Sequence, residues 1–430
     1  MPLRVYARRV VMQQSFHERD IDDDTYPYLR YVTGVTCNRD SATVTIGVVT
    51  TTRTGPLHGV RVVELVGIGP GPFAGMLLAD LGADVIRIDR PGGAGLVVPT
   101  AQDVLSRGRP SVALNLKDPR AIEVVLDLVE QADILIEGFR PGVTERLGVG
   151  PDACHARNPR LVYGRITGWG QDGPLSQTAG HDVNYISVAG ALDPIGRAGG
   201  PPQIPLNLLG DFAGGSMYLV TGVLAALTHA RTTGEGQVVD AAITDGAAHL
   251  LAMQLSMQAA GLWTTERGTN LLDTGAPYYD VYETSDGRWM SVGALEPRFY
   301  DVLIDVLALE DQPDRNDLGQ WPELRKVLAE TFASKTQAEW TGLFDGTDAC
   351  VAPVIPMHEA AQHPHNAARG TYVDEGGVTQ PAPAPRFSGT PTTLTTPPAK
   401  PGANTAEALA AWGITDIDQL IADGVAVQAD

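Results

Sequence analysis

Between Val60 and Gly168 short apolar runs recur at regular intervals, separated by turns and by stretches of helical period. The runs are VRVVEL (60–65), DVIRID (84–89), SVALNL (111–116), DILIEG (133–138) and LVYGRITG (161–168). They are apolar almost throughout and rich in β-branched residues, as strands covered on both faces are. Between them FAGMLLADLG, ending at Gly82, and DPRAIEVVLDLVEQA predict helices, the second with Asp118 at its cap and Pro119 in its first turn. Alternating strands and helices predict right-handed βαβ units and a mostly parallel sheet.

From Gly180 the period lengthens. His181 and Asp211 each follow a glycine, and each opens an apolar helical run. Behind His181 stands DVNYISVAGAL, about three turns, and behind Asp211 stands FAGGSMYLVTGVLAALTHA, about five. A helix N-terminus carries unpaired N–H groups and partial positive charge, so both titratable groups stand where an anion is favoured. Taken singly, each also suits a structural post, because Asp is a common N-cap and a histidine beside glycine is often a loop residue.

GQVVDAAITDG (236–246) then reads as a strand and turn, and 247–263 as a helix leaving the first domain. β character returns in YYDVYET and RWMSVGA, which flank the hairpin turn SDG. Helices follow at 299–307, 321–333 and 337–343, so this part predicts a smaller α+β domain. A Pro-rich stretch, QPAPAPRFSGTPTTLTTPPAKPGA, brings the chain back to two short helices at 405–412 and 416–423. Residues 1–54 stand apart as an extension of unknown role. They open with Arg4, Arg8 and Arg9, turn acidic in HERDIDDD, unlike a transit peptide, and end in a strand-like ATVTIGVVTTT.

Composition narrows the class. The 430 residues are 43% hydrophobic and 19% charged, which is globular. A formal net charge of -20 excludes a nucleic-acid surface, which needs clustered Lys and Arg. Three scattered cysteines, Cys37, Cys154 and Cys350, give neither a disulfide framework nor zinc spacing, and point to a reducing compartment, the cytoplasm. No run reaches the ~18 apolar residues of a membrane span, and 216–227 reads as a buried helix. After the first strand GIGPGP (67–72) resembles a dinucleotide turn, but the third glycine falls on Pro72, which argues against NAD. Arg90, Arg107, Arg109, Lys117, Arg140 and Arg146 cluster near strand ends instead, a pattern that suits a phosphate-bearing ligand.

Several long motifs in order carry a stronger signal. GPLHGVRVVELVGIGPGPFAGMLLADLGADVIRIDRP, RPGVTERLG, GWGQDGP, GHDVNYI, LLGDFAGGSM, GQVVDAAITDG and GAPYYDVYETSDGRWMSVGALEPRFY resemble the class III CoA-transferase superfamily, also called CaiB/BaiF, from Gly55 to the C-terminus. They are most similar to its α-methylacyl-CoA racemase branch, enzymes of fatty acid and lipid metabolism.

The resemblance implies a Rossmann-like large domain at 55–241, completed by 385–430, a linker at 242–280, a small α+β domain at 281–364 and a return linker at 365–384. It implies an interlocked homodimer with an active site shared between chains. No metal or organic cofactor is needed, since CoA is part of the substrate, and neither nucleic acid nor membrane is a partner. By motif, His181 and Asp211 match the two acid/base residues, and Glu296 matches the carboxylate that partners the histidine. CoA contacts carry over to Arg90, Leu114, Asn115, Leu116, Lys117, Gly138, Phe139, Arg140, Arg146, Gly180, Val183, Asn184 and Tyr185.

Inverting the carbon α to a thioester removes a proton from one face and returns one to the other, which an imidazole and a carboxyl do directly. The Asp182 backbone N–H, at a helix start, would stabilise the enolate oxygen. Met217, Met253 and Met257 are candidates for an acyl-chain wall, though methionine at helical spacing is more often core. The alternative is CoA transfer with Asp182 as nucleophile. Against it stand His181 directly before it and the lack of a glycine-rich lid in TNLLDTGAPYY. An inactive CoA-binding scaffold is disfavoured because all three proton-transfer residues are present.

Overall fold

The computed structural model describes residues 54–93 and 98–429, together with two short strands nearer the amino terminus. Those strands, β1 (Val35–Cys37) and β2 (Val44–Ile46), pair antiparallel with Val35 opposite Ile46, within a compact unit Met1–Thr52. The strand expected in ATVTIGVVTTT thus falls at Val44–Ile46, while the basic and acidic stretches lie outside the described residues.

Arg53–Asp430 forms the second unit. Its main sheet takes β3 (Arg61–Leu65), β4 (Asp84–Asp89), β5 (Ser111–Leu114), β6 (Ile134–Glu137), β7 (Val162–Thr167) and β8 (Gln237–Ala242), all parallel, in the order β5-β4-β3-β6-β7-β8. Period-two alternation explains the continuous apolar strands. Val63, Leu65, Ile86 and Ile88 pack under the helix Pro119–Glu130, through Val124, Val125 and Leu128. Val62, Val85, Ile134 and Ile136 face Ala74 and Leu78 of the helix Pro70–Asp80 and Leu219 and Val223 of a later one. With helices on both sides, neither face of the central strands meets water, while the edge strand β8 is exposed at Gln237, Val238 and Asp240.

Two expectations about arginine change here. Arg109 is 0% exposed and ion-paired with Glu64 of β3, and Arg107 meets Asp80 at 2.6 Å. Both are interior pairs, not phosphate ligands. Gly75 makes the first possible, since a Cβ there would collide with both the Arg109 and Glu64 side chains.

The smaller region contains β9 (Tyr279–Glu283), β10 (Trp289–Gly293) and β11 (Val351–Pro353), an antiparallel sheet ordered β11-β10-β9. The helices Pro297–Leu307, Trp321–Phe332 and Gln337–Phe344 share its core, with Phe332 and Trp340 fully buried. The return segment carries a hairpin that the Pro-rich composition hid, β12 (Tyr372–Glu375) and β13 (Val378–Pro381). The last strand, β14 (Ala426–Val427), adds antiparallel to β5 and makes the main sheet seven-stranded.

Three helices differ from expectation, the one expected at 247–263 being two, Ile243–Leu250 and Ala252–Ala259. The one behind His181 spans Asp182–Val188 only, because the chain turns at Gly190, where φ is 81°. The one bearing Asp211 is longer, a continuous Leu208–Thr233 whose first ten residues, Leu208–Met217, are π-helical. At 26 residues it has the length and mean hydropathy of a membrane span, which the sequence count of apolar residues missed. Its Leu219, Val223, Ala226 and Ala230 are buried on the sheet.

Candidate active site

The order of the parallel strands reverses between β3 and β6, and ligands in such sheets bind beyond the carboxyl ends at that point. A cleft of about 1160 Å³ opens there. Its floor is the loop after β3, Val66 to Pro70, and the loop after β6, Gly138 to Arg140. Arg90 follows β4, and Leu114, Asn115, Leu116 and Lys117 end β5. His181, Tyr185 and Asp211 form the wall opposite. Gly424 and Val427 reach in from the C-terminal segment.

His181 is the N-cap of its helix, held extended by a bond from its own N–H to Asn184 Oδ1 at 3.0 Å. Tyr185 follows one turn on. Its ring is wedged so closely beside Gly168 and Gly180 that a Cβ at either would overlap it. Its hydroxyl donates to the Gly180 carbonyl, and Trp169 meets its ring edge-on at 4.9 Å. Gly168 and Gly180 are therefore there to admit one aromatic ring.

Asp211 lies in the first turn of the π-helical segment, not at its cap. Glycines again bring backbones together. A Cβ on Gly214 would crowd Ala247, and one on Gly246 would overlap the Gly214 carbonyl, so the helix Ile243–Leu250 packs main chain against main chain here. Phe212 stacks on Phe73 at 4.6 Å, and Ser216 Oγ donates to Pro70 O at 2.8 Å, which joins this turn to the β3 loop. Asn207 Nδ2 donates to Asp211 Oδ2 at 3.3 Å. Burial pushes the Asp211 carboxyl above the usual range; the Asn207 bond opposes this, the Asp182 charge adds to it and His181 offsets it.

The cations sort cleanly. Arg90, Lys117 and Arg140 line the cleft, are exposed, and pair with no carboxylate among the described residues. Arg146 ends the helix Val143–Leu147, whose Leu147, not Arg146, lines the cleft. Gly180, Val183 and Asn184 do not line the cleft either. Asp182 is buried, with Oδ1 accepting from the Asp211 N–H at 2.7 Å. Glu296 is the exposed N-cap of the helix Pro297–Leu307 and is not on the cleft; burial pushes the nearby Cys350 thiol up, and the Glu296 charge adds to this. Met217, Met253 and Met257 lie outside the cleft as well, the first two 46% and 55% exposed.

Sequence reasoning missed Glu137. It accepts from the Phe139 N–H at 2.6 Å and from Arg165 Nε at 2.8 Å, and so holds the Gly138 to Arg140 loop. A carboxylate at the end of the apolar run DILIEG was the available signal. The segment TNLLDTGAPYY is fastened, not free. Asp273 accepts from the N–H groups of Gly268, Asn270 and Gly275. Among the described residues, no three His, Cys, Asp or Glu side chains gather as metal ligands.

A sequence model of CoA-transferase family III matches residues 57–405. The chain is 44% identical over 383 residues to an alpha-methylacyl-CoA racemase of Mus musculus, covering 87% of this chain and 98% of that protein. It is 46% identical over 340 residues to the Homo sapiens protein of the same description, covering 78% and 87%. A solved CAIB/BAIF family protein from Brucella suis superposes with a TM-score of 0.73 at 26% identity, over 84% of this chain and 100% of that one.

Proposed function

We infer the activity from one premise: the chain belongs to CoA-transferase family III. Within that family it is a racemase that interconverts (2R)- and (2S)-2-methylacyl-CoA thioesters, in keeping with its identity to the two racemases. The observation that carries the mechanism is that His181 and Asp211, the two proposed proton carriers, line one cleft together with Arg90, Lys117 and Arg140, which pair with no carboxylate among the described residues.

CoA's phosphates meet Arg90, Lys117 and Arg140, and the acyl end lies between His181 and Asp211. Neutral His181 removes the α-proton of one epimer while protonated Asp211 supplies one from the other face; the opposite epimer reverses the roles. Burial of Asp211 favours the protonated form its acid role needs. The Asp182 N–H, first in its helix and without an intrahelical carbonyl, stabilises the enolate oxygen. CoA contacts extend to Leu114, Asn115, Leu116, Gly138, Phe139 and Tyr185, which line the cleft, whereas Arg146, Gly180, Val183 and Asn184 do not. No bound cofactor takes part.

Glu296 stands off the cleft of its own chain, which supports a homodimer in which it reaches and orients the partner's His181. The unpaired Cys154 and Cys350 support a cytoplasmic site, and the substrate class places the enzyme in fatty acid metabolism. On this reading the large domain is 55–241 completed by 385–430, and the small domain is 281–364.

In D₂O, either epimer of a 2-methylacyl-CoA should acquire α-deuterium in both product epimers. His181→Ala and Asp211→Ala should each slow this by roughly 10²- to 10⁴-fold while CoA still binds. Absence of label, with CoA moved to an added acid, would overturn the racemase reading.

A further inference from the structure

His181 and Asp182 are adjacent, yet their side chains part. His181 faces the cleft, while Asp182 is 7% exposed and points back into the protein. Its target is the start of the Asp211 helix. A π-helix leaves its first N–H groups without carbonyl partners, and Asn207, at the N-cap, makes no capping bond. Asp182 supplies the cap from 29 residues away, its Oδ1 accepting the Asp211 N–H at 2.7 Å and the Gly210 N–H beside it. The approach depends on glycine, because a Cβ on Gly210 would overlap Oδ1 and press on Ile186. Asp211 is thereby fastened at three points: its N–H by Asp182, its carbonyl by Ser216 Oγ at 2.9 Å, and its carboxylate by Asn207.

We propose that the Asp182 carboxylate is a positioning group that sets the distance and orientation of Asp211 relative to His181. Its main chain is continuous with the imidazole and its side chain grips the other base, so one residue ties the two together. This rests on the racemase reading and gives Asp182 a role other than nucleophile. A nucleophile needs an oxygen on the cleft. Here one oxygen is taken by backbone N–H groups, and the other is buried without a partner among the described residues.

The carboxylate's charge also acts on Asp211. On the elements packed against this turn, Asp80 is bonded to Arg107, Arg165 to Glu137 and Glu145, His249 to Tyr218, and Asp240 to the Gln171 N–H. Asp245 acts on Asp240, and His229 and Arg231 lie at the far end of the long helix. The groups left facing Asp211 are Asp182, His181 and the Tyr185 phenol.

The test compares Asp182→Asn and Asp182→Ala in the full chain, by kcat, KM and pH profile with each epimer. Asp211→Asn assigns the Asp211 limb. Asn keeps an acceptor but no charge, so turnover should persist with that limb moved to lower pH. Ala removes the cap, and kcat should fall on the order of 10²-fold with KM nearly unchanged. An Asp182→Asn enzyme that folds but loses kcat as far as the Ala variant is expected to would overturn the proposal, because its amide oxygen can still accept the Asp211 N–H, and it does so even if the Ala variant failed to fold. An Asp182→Ala enzyme with wild-type kcat would do so too. In both cases wild-type deuterium exchange would leave racemisation standing. If wild type shows no exchange and hydroxylamine traps an acyl group on Asp182, the racemase reading falls and this proposal with it.

Discussion

Residue type did not separate the arginines; partners did. Arg109 and Arg140 both follow glycine-containing turns, but Arg109 meets Glu64 in a dry interior while Arg140 has open cleft before it. The consequences of removal should differ in kind. Lys117→Ala and Arg140→Ala should each raise KM for the CoA thioester roughly tenfold, with little change in kcat and reduced sensitivity to salt. Arg109→Leu leaves Glu64 buried without its cation, and should cost about 3–5 kcal/mol in urea denaturation instead. His181, Asp211, Arg90, Lys117 and Arg140 were readable as cleft residues because motif and strand end marked them. Asn207 and Ser216, which hold Asp211, were not, because nothing local tells where an amide or hydroxyl will find its partner.

At the level of elements, the strands came through well. DVIRID is β4 residue for residue, and VRVVEL, SVALNL, DILIEG and LVYGRITG differ from their strands only at the ends. Burial on both faces forces an apolar side chain at nearly every position, and such a run survives any detail of packing. The Asp211 helix came through as a helix, but not its earlier start or its winding, because π-helical winding is imposed by neighbours. Gly214 and Gly246 let two backbones touch, and the turn widens around that contact. Gly246→Ala should therefore destabilise the protein by about 1–3 kcal/mol through overpacking, and slow turnover by shifting Asp211. Gly342→Ala, in the helix Gln337–Phe344 with open space around it, should stabilise by about 0.5–1 kcal/mol. Denaturant midpoints of the two variants check the contrast.

Over the whole molecule, the C-terminus returns to the site. Val427 pairs with Ala113 of β5, its carbonyl accepts from Thr405 Oγ1 at 2.6 Å, and it lines the cleft with Gly424. Deleting residues 424–430 would expose the β5 edge and open the cleft on one side. The truncated protein should lose about 2 kcal/mol of stability, aggregate more readily, and bind CoA more weakly by calorimetric titration. Weakened CoA binding with unchanged denaturation would place the segment's role in the cleft alone.

The sequence by itself determined the parallel sheet, the cleft at its carboxyl ends and the family, since these rest on local period, strand-end charge and ordered motifs. Only the tertiary structure decided which arginines face the cleft, how glycines shape the Asp211 turn, and that the Asp182 carboxylate accepts the Asp211 N–H. Those outcomes depend on contacts between segments far apart in the chain, and local pattern carries no record of which distant group will fill a given space.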